Sequence, residues 1–366
     1  MADINKLSVE IITTWDLTEK HKQSWQKLAA NHYNPNVFFT LDWLTLWWDV
    51  FAQKNDRLHV IFISIADNIV GICPFYFQGD TTLRFIGTGE PEISEVCSEY
   101  LDVLIERSNQ SIVLDVITQQ LSGIMGGINK FEFNNVLKGS HILAVANKLK
   151  KQCFINKRCV GLRYSANLPK SYREFTESLS KSFMTQMRRK QRKLSKLKGQ
   201  FVEVNSENEL NLYLQHLQQL HCARWNKKGL QGAFSEKTFI HFHHKFTRVL
   251  LAKNLLSMKV LIIDDEIHGV IYNMVYCGAR FFYQIGINLD YKENLSIGTQ
   301  LHLEEIRTAI AKNDNIYDFM KGKITNSYKQ NFTNQTTEMF DIVLINKLHL
   351  KSIFKLLFSR FRCKWF

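Results

Sequence analysis

The sequence predicts an α/β (α+β) protein of two similar domains, each with a mixed, mostly antiparallel sheet flanked by helices. Its clearest sign is a run of three apolar segments, residues 259–264, 267–276 and 279–288, separated by connections of two residues each. Connections of that length join neighbouring antiparallel strands. A polar loop, an apolar periodicity of helical spacing that ends at Lys312 and a short strand at 316–320 complete the pattern.

A second observation is that the N-terminal half repeats this order. Residues 59–87 parallel residues 258–286, and both stretches place the pattern D-x-I-x-G between their first two strands, at 67–71 and at 265–269. A helical stretch and the strand 130–136 follow in the first half much as they do in the second. We interpret the likeness as an internal duplication; the alternative is chance similarity between two meanders.

Length and composition favour two folded domains. A chain of 366 residues with 45% hydrophobic content can fill two cores, and only 4 prolines and the lack of low-complexity tracts argue against long linkers. We expect an N-terminal domain at 1–165, a C-terminal domain at 166–345 and a basic amphipathic tail at 346–366. Without an apolar run of about 20 residues or a signal-peptide core, we expect a cytoplasmic protein, or one bound peripherally at the inner membrane face. The 7 cysteines contain no CxxC pair, so the sequence indicates neither a zinc ribbon nor a disulfide framework.

The formal charge of +13 is concentrated in two places. Residues 188–198 contain seven basic side chains, and the chain after Ile345 contains no acidic one. Such concentrations favour an anionic partner, namely nucleic acid, a phosphorylated cofactor or an anionic membrane. Each also has a simpler interpretation, because residues 188–198 fit the solvated face of a helix and the tail fits a helix that packs over a domain.

The polar loop before the second helix has features of an anion site. Backbone N–H groups at a helix N-terminus attract anions, Gly298 lets a ligand approach the backbone, and Ser296 and Thr299 offer hydroxyl groups. An ordinary capped helix is the alternative for so short a motif. The equivalent stretch of the first half, 88–100, is acidic and suits a phosphate poorly.

These segments resemble a known family. Over residues 181–344 the chain is similar to the bacterial acetyltransferase group of CelD and the BioF2-like proteins, a branch of the GNAT superfamily related to the FemAB aminoacyltransferases with their twin GNAT-like domains. The chain departs from the family at Ile297, where proline is common, at Lys321, where arginine is common, and in lacking the usual pyrophosphate signature. The resemblance rests on a basic helix at 187–199 and on these residues in order: Arg224, Trp225, Gly229, Phe234, Tyr283, Gln284, Gly286, Tyr291, Gly298, Asp318, Gly322, Tyr328 and Lys329.

The resemblance implies two GNAT-like domains and acyl transfer by direct attack of an amine or hydroxyl on a thioester, without a side-chain nucleophile. It implies Asp318 as the base or acceptor-orienting group, with a structural carboxylate paired to Lys321 or Lys323 as the alternative. Tyr328 or Tyr283 would be the acid that protonates the leaving thiolate. Tyr283 fits a core position as well, because its strand is rich in aromatic residues.

Acyl-CoA, in particular acetyl-CoA, is the cosubstrate that the resemblance implies, and we expect no metal. The histidines at 241, 243 and 244 lie in an expected helix where only 241 and 244 share a face, and no carboxylate completes a recognised ligand spacing. The implied ligands of the cosubstrate are Gln284, Ser296, Gly298, Thr299, Lys323 and Lys329, and those of the acceptor are Arg224, Trp225 and Tyr291.

The sequence as a whole predicts transfer of an acetyl or other acyl group to a small-molecule or glycan-precursor acceptor connected with the cell envelope or with exopolysaccharide. Two alternatives stay open. One is a FemAB-type aminoacyltransferase that uses aminoacyl-tRNA, which the basic run and the missing pyrophosphate signature favour. The other is a non-catalytic protein of the same fold that binds nucleic acid or a membrane surface.

Overall fold

The computed structural model describes residues 7–325 and 327–347. By compactness these residues divide into two units. Unit 1 comprises residues up to 89, 97–160 and those from 338, and unit 2 comprises 90–96 and 161–337. The units are therefore interleaved along the chain, and the consecutive boundaries at 165/166 and 345/346 stay predictions. The predicted basic tail lies, beyond residue 347, outside the described residues.

Unit 1 contains one mixed sheet in the order β1-β2-β3-β4-β6-β13, with β5 beside β3. Strands β4 and β6 are parallel, and the other pairs are antiparallel. Its elements are β1 (Leu7–Ile12), α1 (Glu19–Ala30), α2 (Leu41–Phe51), β2 (Arg57–Ile65), β3 (Asn68–Gln78), β4 (Thr82–Phe85), β5 (Leu104–Ile105), α3 (Gln110–Ile124), β6 (Lys130–Leu137), α4 (His141–Lys148), the first half of β7 (Cys153–Asn167) and most of β13 (Thr336–Asn346).

Unit 2 contains a sheet of the same design in the order β8-β9-β10-β11-β12-β7, in which β11 and β12 are the parallel pair. The three-stranded meander and the helix after it are confirmed within one to three residues at their ends. Its elements are the second half of β7, α5 (Tyr172–Ser178), α6 (Lys181–Lys196), β8 (Gln200–Glu203), α7 (Glu207–Asn226), α8 (Lys237–Ala252), β9 (Leu256–Ile263), β10 (Glu266–Tyr276), β11 (Ala279–Ile287), α9 (Ile297–Ala311) and β12 (Ile316–Gly322).

The glycine of the D-x-I-x-G pattern has the same physical role in both units. A methyl group at Gly71 would lie 2.6 Å from the Val113 side chain of α3, and one at Gly269 would lie 2.6 Å from Ile297 of α9. Each glycine therefore lets the helix that precedes the parallel strand pack directly on the meander. Both units also share a common order of strand, two helices, three-stranded meander, helix and strand, as expected for a duplicated domain. This order is β1-α1-α2-β2-β3-β4-α3-β6 in unit 1, which has the additional short strand β5, and β8-α7-α8-β9-β10-β11-α9-β12 in unit 2.

The basic stretch predicted at 188–198 lies largely in α6, which Ser180 caps by accepting a hydrogen bond from the Phe183 N–H. Met184, Met187 and Leu194 are buried, as the apolar spacing predicts, and Met187 and Leu194 belong to the core cluster that includes residues of the unit 2 sheet and α9. Most of its cations face solvent, but Lys190 is buried. The exposed cations of this segment are Arg188, Arg189, Arg192, Lys193, Lys196 and Lys198.

Across residues 7–325 and 327–347, we find no helix that combines the length and the apolar character needed to cross a bilayer.

Candidate active site

The two parallel strands of unit 2 separate partway along their length. Their pairing covers three positions, from Ala279 opposite Ile316 to Phe281 opposite Asp318. Beyond this point β11 stays paired with β10 as far as Ile287, while β12 stays paired with β7 as far as Gly322. We call the region between residues 282–287 of β11 and 319–322 of β12, where the two strands are not paired, the wedge. Backbone groups of β11 that face it form a sheet edge within the domain.

A β-bulge in β12 marks the place where the strands separate. The register with β7 shifts between Asp318 and Met320, and Met320 has a φ of 58°, which is unusual for a residue with a side chain. One carboxylate oxygen of Asp318 accepts the Met320 N–H at 2.7 Å, and the other accepts from Arg163 Nε at 2.7 Å. The Asp318 carboxylate therefore stabilises the strained backbone from a fully buried position. Arg163 of β7 is an ion-pair partner of this carboxylate, which agrees with a structural role for Asp318.

The buried ammonium group of Lys329 holds the same part of β12. It donates to three successive carbonyl oxygens, those of Phe319, Met320 at 3.2 Å and Lys321 at 2.7 Å. Three carbonyl groups that converge on one cation cannot keep a regular strand ladder, so this contact also favours the separation of β12 from β11. The structure places the ammonium group of Lys329 on these backbone carbonyls, and its expected contact with the cosubstrate stays a prediction.

His302 of α9 lies against both strands where the wedge begins. Its ring centroid is 4.5 Å from that of Phe282 on β11 and 5.2 Å from that of Phe319 on β12. Its Nδ1 lies 3.0 Å from the Tyr317 hydroxyl, and its Nε2 lies 3.3 Å from the Tyr328 hydroxyl. The imidazole is 1% exposed, whereas Tyr328 is 46% exposed. The three side chains form a hydrogen-bonded row that runs from the core to the surface.

Burial sets the protonation of this row. Desolvation, with a smaller effect of the Lys329 charge, lowers the pKa of His302 to about 3, so the ring is neutral at neutral pH. Desolvation raises the pKa of Tyr328, although the charge of Arg224 opposes the shift. A neutral phenol that contacts a neutral imidazole can give up a proton and regain one through the ring.

Sequence reasoning missed His302. A signal existed, because residue 302 lies on the same helical face as Ile306 and Ala309, where an apolar residue is expected. A polar side chain on that face is usually explained by a buried hydrogen bond, and here two tyrosines provide them.

The start of α9 lies at the end of the loop that follows β11. The first helical hydrogen bond runs from the Gln300 N–H to the Ser296 carbonyl, so the N–H groups of 297–299 precede it. Ser296 has a φ of 52° and its side chain does not cap the helix. A methyl group at Gly298 would meet its nearest neighbour, Ile285, at 3.6 Å, so packing does not demand glycine there. The half-buried Thr299 lies next to it in the first turn.

Three lysines hold this loop. Lys190 of α6 donates to the hydroxyl of Ser296 and, at 3.0 Å, to the side-chain carbonyl of Asn294. Lys193 of α6 pairs with Glu293, and Lys227 after α7 pairs with Asp290. The Ser296 hydroxyl thus contacts a lysine and does not cap the helix, which was the alternative interpretation, and its contact with the cosubstrate stays a prediction. Part of the basic run positions the loop.

Tyr283 points away from the wedge. Its ring centroid is 4.8 Å from that of His243 on α8, whereas the neighbouring Phe282 ring lies 4.5 Å from that of His302 on α9. The Tyr283 hydroxyl lies 2.6 Å from the Val96 carbonyl and 2.9 Å from His243 Nε2. It therefore joins α8 to the segment 90–96, and its role as an acid stays a prediction.

The acceptor residues predicted on α7 lie at its C-terminal end. Arg224 is half-buried and near enough to Tyr328 for its charge to affect that phenol. Trp225 donates from Nε1 to His221 Nε2 at 2.9 Å. Desolvation, aided by the Arg224 charge, lowers the pKa of His221 to about 4, which suits its role as a neutral acceptor.

The remaining predicted residues surround the wedge less closely. Gln284 is half-buried on β11 beyond its last pair with β12, and Lys323 is exposed just after β12. Tyr291 lies in the loop before α9 with its ring centroid 4.2 Å from that of His268. The roles of these side chains stay predictions.

In unit 1 the chain itself occupies the corresponding place. Strands β4 and β6 also pair at three positions, and Asn135 of β6 has a φ of 52° beside a register shift. There the Tyr100 N–H donates to the Asn135 carbonyl at 3.1 Å, and residues 98–103 are buried. A substrate could not enter unit 1 along that edge without displacing this segment.

Comparison with known proteins agrees with these features. Residues 181–330 match a family model described as an acetyltransferase (GNAT) domain. No curated protein matches the sequence.

Three solved structures are similar over nearly the whole chain. FemX superposes with a TM-score of 0.63 at 9% identity, covering 91% of this chain and 96% of that one. A conserved protein of unknown function from Bacteroides thetaiotaomicron superposes with 0.57 at 10% identity, covering 92% and 100%. A tandem GNAT protein from the clavulanic acid biosynthesis pathway superposes with 0.50 at 8% identity, covering 92% and 98%. At these identities the similarities establish the fold, and the predicted pair of GNAT-like domains is confirmed.

Proposed function

We propose that this protein, an acyltransferase whose residues 181–330 form a GNAT acetyltransferase domain, transfers an acyl group from acyl-CoA to an amine or hydroxyl in the wedge of unit 2. The observation that carries the proposal is the separation of β11 from β12 after Phe281 and Asp318, with the start of α9 at the end of the same strand. The same region would then bind both the extended thioester arm of acyl-CoA and its phosphate groups.

The donor would lie along β11. Beyond Phe281 the edge of this strand offers backbone N–H and C=O groups to an amide-containing chain, in the manner of an added strand. A pyrophosphate would lie against the N–H groups of 297–299, where the helix dipole favours negative charge. The space around Gly298 supports this placement, because the protein itself leaves room for a methyl group there.

The chemistry would use the row of His302 and its two tyrosines. The acceptor nitrogen or oxygen attacks the thioester carbon, the tetrahedral intermediate collapses, and the carbon–sulfur bond breaks. Tyr328 gives its proton to the departing thiolate and regains one from the acceptor through solvent or through His302. The raised pKa of Tyr328 suits an acid that is protonated before each turnover.

Asp318 would have a structural role in this mechanism. Its carboxylate is fully buried and accepts from Arg163 and Met320, so we assign it the positioning of β12 in place of the role of base. Arg224, Trp225 and Tyr291 are our candidates for the acceptor, which we propose to be a small-molecule or glycan precursor of the cell envelope or of exopolysaccharide.

Aminoacyl-tRNA is the second candidate donor. The observation that favours it is the exposed basic face of α6, the helix whose Lys190 and Lys193 hold the loop before α9. Phosphates of an RNA could contact that face without sequence selectivity. With aminoacyl-tRNA as the donor, the start of α9 would not have to bind the pyrophosphate of acyl-CoA.

The test compares the two donors on the full chain. Calorimetry with acetyl-CoA, and with transfer RNA at two salt concentrations, measures which one binds. Saturable acetyl-CoA binding that Gly298→Arg abolishes supports the proposal, provided that the Lys196→Met variant on α6 binds normally. A steep salt dependence for RNA and no acetyl-CoA binding would favour the second candidate. Binding of neither donor would overturn both.

A further inference from the structure

Unit 1 contains a buried group of three potential metal ligands, His32, Asp102 and His141, which we call the HDH cluster. His32 follows α1, Asp102 precedes β5, and His141 is the first residue of α4. One ligand atom from each lies within 4.8 Å of the others. The proposed acyl-transfer site uses no residue of unit 1, so the HDH cluster would be a separate site.

The carboxylate of Asp102 is completely buried. One oxygen accepts the N–H groups of Val103 and Ile142, and the other accepts the His141 N–H at 2.7 Å and the Tyr33 hydroxyl at 3.2 Å. These hydrogen bonds fix the carboxylate but supply no full positive charge. Among the described residues, the ionisable groups within ion-pair distance are the two imidazoles, each 3.7 Å away. A buried anion normally requires a cation.

The ring of His32 has the arrangement expected of a metal ligand. Its Nδ1 lies 3.2 Å from the Asn34 carbonyl oxygen and 3.2 Å from the Asn34 backbone nitrogen, so it can either donate to the carbonyl or accept the Asn34 N–H. The tautomer that donates from Nδ1 leaves Nε2 without a proton, as coordination requires. Its Nε2 is buried, has no hydrogen-bond partner in the described part of the chain and lies 3.7 Å from the Asp102 carboxylate. Histidines that bind metals commonly donate one ring nitrogen to a carbonyl and coordinate with the other.

The spacing fits a small divalent ion after the group contracts. Ligand atoms about 2.0–2.1 Å from a tetrahedral zinc ion are about 3.3–3.4 Å apart. Both histidine nitrogens are 3.7 Å from the Asp102 oxygen, and the three ligand atoms lie within 4.8 Å of one another, so they must approach by up to about 1.5 Å. His141 Nδ1 lies 3.3 Å from the Val103 carbonyl. Its ring would carry the proton on Nε2 when Nδ1 coordinates.

An open cleft of about 510 Å³ adjoins the cluster. Both histidines line it, together with Tyr33, Arg107 and Gln110. We propose that His32, Asp102 and His141 bind one divalent transition-metal ion, such as zinc, and that its remaining coordination position faces this cleft. Two imidazoles and one carboxylate with an open position are a donor set that suits zinc or ferrous iron. A small anionic ligand would find Arg107 at the rim.

The proposal departs from our expectation that the protein binds no metal. No sequence motif indicates the HDH cluster, because positions 32, 102 and 141 are far apart in the sequence. The histidines of α8, which were considered from the sequence as metal ligands, have different surroundings from those of the HDH cluster. His241 is exposed, and His243 is buried against Tyr283.

Zinc binding by the full, untagged chain after treatment with EDTA tests the proposal. We expect calorimetry to give one zinc ion per chain, and the His32→Gln variant to bind at least tenfold more weakly. The matched control is His241→Gln, an exposed histidine, which should bind as the wild type does. Melting curves of each variant without metal establish that it folds, and zinc should raise the melting temperature of the wild type and the control alone.

Cobalt gives a second measurement that needs no variant. The proposal predicts a cobalt spectrum of nitrogen and oxygen ligands, without a thiolate charge-transfer band. Such a band would place the ion on cysteine and overturn the proposal. Absence of stoichiometric binding, or equal binding by His32→Gln and the wild type, would overturn it too.

Discussion

The hydroxyl of Tyr328 lies 3.3 Å from Nε2 of His302, which joins a half-exposed phenol to a fully buried imidazole. Because the imidazole also contacts Tyr317 at 3.0 Å, its orientation is fixed from both sides. The phenol is the one member of this row that a substrate in the wedge can reach from solvent.

Replacing Tyr328 with phenylalanine should lower kcat by about 100-fold or more, the usual contribution of a general acid, with little change in the KM for acetyl-CoA. Steady-state thiol release measures both constants. Tyr213→Phe, a half-buried tyrosine of α7, is the control and should keep full activity. Unchanged kcat in Tyr328→Phe would remove the phenol from the mechanism.

Stability should fall with acid because of His302. Its folded-state pKa is about 3, below the ordinary 6.5, so between these values the unfolded chain takes up the proton and the folded chain does not. Stability from this group is complete above pH 6.5 and is lost as pH falls towards 3. Between pH 7 and pH 5 one such group accounts for about 2 kcal/mol.

Urea unfolding of the wild type and of His302→Gln at pH 7 and pH 5 measures this loss. His243, whose pKa burial also lowers to about 3, is present in both proteins and cancels in the comparison. The variant should show a drop in unfolding free energy that is smaller by about 2 kcal/mol. Equal drops would mean that His302 is protonated in the folded state.

The sequence could predict the meander, the helix after it and the duplicated design, because each depends on local periodicity and on turns of two residues. It also predicted the buried face of α6. Those features depend on residues that are close together in the sequence, so one sequence is enough to predict them.

The separation of the strands depends on contacts that local patterns do not record. Met320 takes a positive φ although nothing in its own side chain favours it, and its support comes from Asp318 and from Lys329. The partner of Asp318, Arg163, is 155 residues away. Tyr283 likewise found its partner in segment 90–96, on the other side of the chain's midpoint. Such pairings require the fold before they can be seen.

Asp318→Asn distinguishes a structural carboxylate from a catalytic base. The variant removes the carboxylate charge beside the Arg163 guanidinium, whose side chain is 12% exposed. Breaking a buried pair in this way should destabilise the protein by about 3 kcal/mol. Activity per folded molecule should fall less than tenfold, with an unchanged pH profile. A stable variant that loses activity and the acidic limb of the profile would restore the role of base.

Lys190→Met should weaken donor binding through the loop before α9. The change removes the contacts to Ser296 and Asn294, so we expect the KM for acetyl-CoA to rise by about fivefold to tenfold with a smaller effect on kcat. Lys196→Met, an exposed lysine on the same helix, is the control. Equal effects of both changes would point to general electrostatics of α6.

Alanine substitutions at Gly269 of β10, which packs against α9, and at Gly298 in the first turn of α9 should have different effects on stability. At Gly269 the added methyl group would lie 2.6 Å from Ile297 and 2.8 Å from Leu301, so overpacking should cost about 1–3 kcal/mol of unfolding free energy. At Gly298 the nearest atom is 3.6 Å away, and alanine favours a helix, so stability should hold or rise slightly. If a pyrophosphate lies on this backbone, Gly298→Ala should nonetheless raise the Kd for acetyl-CoA severalfold. Urea unfolding and calorimetry on both variants separate the two effects, and a Gly298→Ala protein with normal affinity would move the phosphates away from α9.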